Sequence, residues 1–434
     1  MRALPPLPDW CALEHSVAQI LTQQEINGWT FNEPKAQQLE AHLRGEMEQV
    51  TEILRGQFPI VGGKMFTPKR DNSSRGLFAG CESQRLVEFN PTSRDHIAWI
   101  LVNRFQWEPK VFTPLKTVKV KGVEKTSGGK IVIDEVILTE IGTPFAISCA
   151  KALDLKKKLG MLSEGVNAWQ KLCTTSKKIH HSCSVATYTH RCAHQRPNLS
   201  QVPAETAFRE LFTASPGMVM VGADLAGIEL RMLAHYLGRY DGGKYTDILL
   251  NDDVHQVNAD KIGISRRQCK TVSYAFLYGA GNLKLGLSFD PQLSEAKARK
   301  KGAEIRKAYV EAIDGLGPLL EGVRKATTER GFVFAIDKRK IPVDSPHKGL
   351  NYLLQSSAGV IAKRMMVLAH ERAPNTARQL AFIHDEIQYE VHKHQVDELK
   401  FLLELSAVEA GEYYNMRCPT AADSKTGLTW ADVH

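Results

Sequence analysis

From Cys11 to Leu54 apolar residues recur at helical spacing, with one interruption at Asn27 and Gly28, and predict a helix pair. Residues 57–86 are rich in Gly, Ser, Lys and Arg and read as an irregular connection. Asn90, Pro91, Thr92 and Ser93, followed by Arg94 and Asp95, read as a turn capping a new helix. Over 116–134 Val and Ile alternate with Lys around Ser127, Gly128 and Gly129, which predicts an exposed basic hairpin. The next helix carries Lys156, Lys157 and Lys158. The apolar run from Met218 to Asp224 predicts a buried strand that passes into a helix over 228–237. Further helices are expected over 266–280 and about 351–372. A strand at 381–383, a turn at His384, Asp385 and Glu386, and a strand through Val391 follow. There is no internal repeat or low-complexity tract.

Composition narrows the class. The 434 residues suffice for two or three domains, and 43% hydrophobic with 24% charged residues is ordinary for a globular chain. The formal charge of +8 suits a polyanionic partner, since each neutralised phosphate releases counterions. The eight cysteines form no C-x-x-C pair, so neither a disulfide framework nor a zinc ribbon is indicated. No apolar run approaches the roughly 20 residues of a membrane span. The proline-rich start lacks a signal-peptide pattern. The expectation is a soluble cytoplasmic protein with no membrane partner.

Two acidic positions stand at strand ends. Asp224 closes the strand from Val219, and Asp385 sits in the bend between two apolar strands with Glu386 beside it. Such residues are often solvated turns. Brought together from neighbouring strands, they also suit a pair of Mg²⁺ ions flanking an in-line phosphoryl displacement. Arg266, Lys270, Tyr274 and Tyr278, four apart, share one helix face. Cations followed by rings fit a nucleoside triphosphate, and equally an amphipathic helix with an exposed basic end.

Here the motifs carry a resemblance. Asp224 to Arg231 (DLAGIELR) is similar to motif A of the Pol I-like, family A DNA polymerases. The set Arg266, Lys270, Tyr274, Tyr278 and Gly279 resembles motif B, and His384-Asp385-Glu386 resembles motif C, in the family's order. NLSQVP (198–203), SPH (345–347) and NYLLQ (351–355) add further family patterns. FNPTSRDHI (89–97) and FLYGAG (276–281) resemble the T-seven-like podovirus branch, and the likeness runs from about Glu14 to His434.

The resemblance implies an α+β right-hand polymerase fold with an antiparallel-sheet palm and largely helical thumb and fingers. It divides the chain into a tail (1–11), thumb (12–180), palm (181–240), fingers (241–340) and second palm segment (341–434). It implies that Asp224 and Asp385, helped by the Leu225 carbonyl and with Glu386 close by, hold two Mg²⁺ ions, with Mn²⁺ able to substitute. His255, Arg266 and Lys270 clamp the phosphates, and Lys270 protonates the leaving group. Glu229 covers the sugar's 2′ position, and Tyr278 lies near the templating base. Tyr274, which is Phe in some relatives, implies ready acceptance of dideoxynucleotides. Arg191, Asn351 and Gln355 resemble minor-groove readers. His384 and the Lys156–Lys158 run are further DNA-binding candidates.

The implied partners are primer–template DNA and deoxynucleoside triphosphates. The family's Thr-Gly-Arg reads Thr189-His190-Arg191, which puts the local backbone in question. His180, His181, Cys183, His190, Cys192 and His194 crowd one stretch without a standard zinc spacing. No D-x-E exonuclease motif opens the chain, so proofreading is expected from another chain, or the chain is truncated. The short stretch between Gly63 and Phe89 makes thioredoxin an unexpected partner, and leaves room for a separate processivity chain. A single-subunit RNA polymerase and a catalytically silent template-binding scaffold are the rival readings.

Overall fold

The computed structural model describes residues 7–120, 123–290 and 293–434. They divide into two compact units, residues 34–171 and the segment up to residue 33 together with 172–434.

The predicted helix pair is α1 (Asp9–Asn27) and α2 (Glu33–Gln57), separated by a three-residue strand, Trp29–Phe31. Within 34–171 the turn at 90–93 caps a helix as expected: the Ser93 hydroxyl accepts from the His96 amide at the start of α3 (Arg94–Phe105). The expectation for 57–86 is corrected. Ile60–Phe66 pairs antiparallel with Ser83–Glu88, and the register shifts between Gly62 and Met65. Glycines and an exposed polar face obscure the alternation there; backbone pairing makes the strands. Phe58, Phe89 and Phe105 surround Phe145, with ring centroids 5.1, 6.0 and 5.4 Å away, and form the core of this unit. The hairpin predicted over 116–134 is present as Lys116–Val120 paired with Val123–Ser127; its tip, 121–122, lies outside the described residues. Phe145 belongs to α4 (Pro144–Leu159), capped by Thr143 and opened by a proline whose missing N–H costs nothing there.

The larger unit is built around a four-stranded antiparallel sheet. Its strands are β1 (Met218–Leu225), β2 (Arg378–Ile383), β3 (Glu386–His392) and β4 (Ala422–Gly427), in the order β2-β3-β1-β4. The Met/Val run of β1 is buried on both faces, which explains its unbroken apolarity. Gly222 is required by packing: a Cβ there would lie 2.5 Å from the Gln388 side chain and 2.6 Å from the Val433 carbonyl. After β1 the chain turns through Gly227, at φ 55°, into α5 (Ile228–Leu237).

Between β1 and β2 come α6 (Val254–Ile262), α7 (Arg266–Leu277), α8 (Leu316–Arg330) and α9 (Gly349–Arg372). α7 starts with a complete capping box between Ser265 and Gln268. α9 is buried on almost every side, so its polar residues need internal partners. Ser357 exchanges a hydrogen bond with the Tyr236 hydroxyl at 2.7 Å. Lys363, fully buried, donates to both oxygens of Glu14 at 2.8 and 2.7 Å.

Candidate active site

The edge of the sheet where β1 ends and β3 begins gathers the acidic residues. Asp224 is the register partner of Glu386 on one side and Asp423 on the other. The turn from β2 to β3 has only two residues, His384 and Asp385, because Ile383 pairs directly with Glu386. His384 takes φ 62° to close it. The Leu225 amide donates to the Asp385 carbonyl at 3.3 Å, so the two strand ends are tied where the carboxylates emerge.

Their electrostatics are unfavourable without a cation. Loss of solvation, then the charges of Asp224 and Glu229, push the Asp385 carboxyl up to about 7. Partial burial, with the charge of Glu386, pushes Asp224 up to about 6. Among the described residues no side chain donates a hydrogen bond to either carboxylate. Two adjacent carboxylates without side-chain donors are a ligand set suited to hard divalent cations, and Leu225 follows Asp224 on the same strand end.

Glu386 differs from its neighbour. The sequence reading placed it in the turn, whereas it is the first residue of β3 and buried. Trp430 Nε1 donates to its Oε1 and His434 Nδ1 to its Oε2, each at 2.8 Å, and Gln388 also donates to Oε1. Burial alone would raise its carboxyl, but these hydrogen bonds and the His434 charge outweigh burial and hold it below the usual range. Glu386 is therefore a fixed anion whose charge acts on Asp224. The sequence reading missed Trp430, His434, Gln388 and Asp423, because nothing local marks a residue that reaches the site only through sheet pairing and the closing helix Trp430–Val433.

Motif B is carried by α7 as expected, except that the helix ends at Leu277 and Tyr278 is its cap. Arg266 and Lys270 are exposed, and Tyr274 is half-buried. Arg266 Nε donates to Asp253 at 2.6 Å. His255 is buried on α6 with its ring 6.0 Å from that of Tyr274. Burial lowers the His255 pKa, and Lys270 and Arg266 add to this against the pull of Asp253. The Tyr278 hydroxyl and Arg191 Nη2 both donate to Glu229 Oε1, at 3.0 and 3.1 Å. Burial and the Glu229 charge push the Tyr278 phenol up to about 12, so it stays a donor. Asn351 Nδ2 donates to the Leu277 carbonyl at 3.0 Å, and Gln355 is half-buried one turn along α9. His384 is exposed at the turn, its ring pKa lowered by its surroundings and then by Arg191.

The question over Thr189-His190-Arg191 resolves simply. His190 takes the left-handed conformation, φ 55°, that a glycine adopts freely, and Arg191 still reaches Glu229. The lysines Lys156, Lys157 and Lys158 lie in the other unit, in the last turn of α4. Lys158 pairs with Asp154 at 2.9 Å, Lys156 donates to Thr92, and Lys157 is exposed.

Of the His/Cys stretch, His181, Cys183 and His194 converge, with one ligand-type atom from each within 4.8 Å of the others. The Gln24 amide donates into His181 Nε2 and Cys183 Sγ, and Cys183 contacts His194 Nδ1 at 3.2 Å. The remaining nitrogens, His181 Nδ1 and His194 Nε2, are buried without partners. A metal-bound imidazole needs an acceptor for its other N–H, and neither ring has one here. Burial depresses the two rings to about 3 and about 4, so both imidazoles are neutral.

Residues 79–432 match the profile of DNA polymerase family A. The DNA-directed DNA polymerase of Enterobacteria phage T3 is 28% identical over 97% of this chain and 70% of its own length. That of Escherichia phage T7 is 27% identical with the same coverage. Among solved structures, the polymerase domain of Pol1 from M. smegmatis, in complex with DNA primer-template and dNTP, superposes with a TM-score of 0.74. That likeness covers 97% of this chain and 70% of the other at 20% identity, and speaks for the fold.

Proposed function

The chain belongs to DNA polymerase family A and is a DNA-directed DNA polymerase of the right-hand fold; from that premise we propose that Asp224 and Asp385 form its metal-binding catalytic centre, with the Leu225 carbonyl as a further ligand. The observation that carries this is the delivery of both aspartates to one end of one sheet, beside Glu229 and Tyr278, with no side-chain donor to offset their charge. Divalent cations held there, two Mg²⁺ in this reading or Mn²⁺ in their place, would lower the pKa of a primer 3′-hydroxyl and neutralise the departing pyrophosphate.

The protein's own groups do the rest. Arg266 exchanges its contact with Asp253 for a triphosphate oxygen, and Lys270 and His255 join it. Lys270, exposed on the same face, gives a proton to the leaving pyrophosphate. Glu229 blocks the 2′ position of the sugar, and Tyr274 and Tyr278 present rings toward sugar and base. Arg191, Asn351 and Gln355 read the minor-groove acceptors common to all correct pairs. The hydrogen bond from Asn351 to the Leu277 carbonyl is released when the duplex binds.

In this reading residues 12–180 are the thumb, with the compact unit 34–171 as its body and Lys156, Lys157 and Lys158 as its DNA-binding candidates, 181–240 and 341–434 with the sheet β2-β3-β1-β4 are the palm, and 241–340 are the fingers. Primer–template and deoxynucleotides are the substrates, the site of action is the cytoplasm of a phage-infected bacterium, and thioredoxin plays no part. No described helix is long and apolar enough to cross a membrane. The test is primer extension with Mg²⁺, wild type against Asp385→Ala. Deoxynucleotide extension that vanishes in the variant supports the site, while retained extension excludes Asp385 as its centre.

A further inference from the structure

Two cavities meet at Lys338, in the turn of the hairpin formed by Phe332–Phe334 and Lys340–Pro342. The larger, of about 810 Å³, is lined by Arg239, Arg330, Lys338 and Arg417 and by no Asp or Glu. Among the described residues none of these four is paired with a carboxylate. The smaller, of about 430 Å³, presents Arg339, Lys340, His190 and Trp10. Its one acid, Glu14, is already neutralised by Lys363 and Arg339. Arg339, only 4% exposed, is held by Glu14 and Asp337, and its Nη2 is buried with no acceptor. Aromatic surface alternates with these cations: Tyr240 and Phe334 in the larger cavity are 48% and 43% exposed, and Trp10 in the smaller is 37%.

This surface is not the face that carries the minor-groove readers. Leu353 lines the larger cavity, and at roughly 100° per residue it lies about 200° around α9 from Asn351. Ser357, bonded to the cavity residue Tyr236, lies on the same far side. Cations without a carboxylate partner, some of them resting on rings as Arg330 does on Phe334, together with exposed rings make the binding chemistry of unpaired nucleic acid, phosphates on guanidinium and ammonium groups and bases on π-faces. A mononucleotide would occupy one cavity; cations and rings continuing through both call for a strand.

We propose that the two cavities joined at Lys338 form a track for a single, unpaired strand of nucleic acid, separate from the duplex site. The proposal rests on the reading of the chain as a template-directed enzyme, whose substrate contains such a strand. Arg239, Arg330 and Arg417 hold its phosphates, Tyr240, Phe334 and Trp10 stack its bases, and Lys338 bridges the two segments.

The test uses the full chain and a fluorescent oligothymidylate, with binding followed by anisotropy across a salt series. In Arg239→Gln/Arg417→Gln the affinity falls about tenfold, as does that of Tyr240→Ser, which leaves the charge intact. Loss of two phosphate contacts lowers the slope of log affinity against log salt by about 1.4 in the double variant only. Incorporation of one nucleotide on a primer–template with a single-nucleotide overhang stays at the wild-type rate, which also shows that the variants fold. Unchanged oligothymidylate affinity and salt slope in both variants overturns the track. So does loss of oligoglutamate binding with oligothymidylate binding intact, which makes the surface a dock for an acidic polypeptide. Loss of short-overhang incorporation in correctly melting variants overturns its separateness. Wild type that binds the oligonucleotide but extends no primer sinks the catalytic assignment and leaves the track standing.

Discussion

The phenol of Tyr278 donates to the carboxylate of Glu229 at 3.0 Å, and so joins the end of helix α7 to the first turn of α5, just past Asp224. Arg191 donates to the same oxygen, which leaves Glu229 held from two sides. In the proposed role Glu229 blocks one sugar position and must itself be immobile, and these contacts would hold it so. Glu229→Ala is expected to admit ribonucleotides, narrowing the deoxy-over-ribo ratio of kcat/KM by about tenfold or more. Steady-state incorporation of each nucleotide type checks it, and an unchanged ratio removes Glu229 as the gate.

Tyr274 stands on the same face of α7, half-buried beside the His255 ring. If its hydroxyl replaces a missing 3′-hydroxyl, Tyr274→Phe loses one hydrogen bond near charged phosphates. Dideoxynucleotide incorporation then falls about tenfold to a hundredfold, with deoxynucleotide incorporation little changed. Chain-termination patterns at fixed nucleotide ratios read this directly.

Asp385 makes stability depend on pH when metal is absent. Its folded pKa, about 7, lies above its ordinary value of 3.8, so the folded state favours the protonated form. That contribution is present in full below about 4 and is lost as pH rises through about 7. Once solvent screening is allowed for, it amounts to on the order of 1–3 kcal/mol. In EDTA the melting temperature should fall between pH 5 and pH 8, with Mg²⁺ reversing the fall and Asp385→Asn flattening it. A melting temperature that rises over that range in EDTA contradicts the assignment.

Glu14 neutralises two cations, Lys363 with no exposed surface and Arg339 with 4%. Glu14→Ala strands Lys363 without a partner and is expected to cost about 3–5 kcal/mol. Urea denaturation measures this, and a loss below 1 kcal/mol would show that water reaches the lysine.

His190 holds a left-handed backbone, φ 55°, where its Cβ crowds the following carbonyl. His190→Gly should stay within about 1 kcal/mol of wild type, since relieved strain offsets the freer unfolded chain. His190→Val, β-branched at the same φ, should cost about 1–2 kcal/mol more than the glycine variant. Equal stability of the two variants would mean that the loop rearranges.

Motifs A, B and C were legible in the sequence because each is local. Asp224 ends an apolar run, Asp385 sits between two such runs, and the motif B residues repeat at the helical period, so residue type and spacing single them out and the family resemblance supplies their reading. Helices such as 228–237 and the turn at 90–93 were legible for the same reason. The hairpin over 60–88 was not, because its glycines and exposed faces carry no period and only cross-strand hydrogen bonds create it. Nor did spacing separate Asp385 from Glu386. They are adjacent in sequence, yet the two-residue turn leaves one carboxylate without a side-chain donor and sends the other among Trp430, His434 and Gln388. The His/Cys stretch offered ligands in number, while its acceptor-free ring nitrogens became visible only in the packed core. Local chemistry sets which residues are able to act. Which of them meet, and with what charge, depends on pairing between residues far apart in the chain, such as Gly222 with Gln388 and Asp224 with Asp423, and that is decided only when the sheet closes.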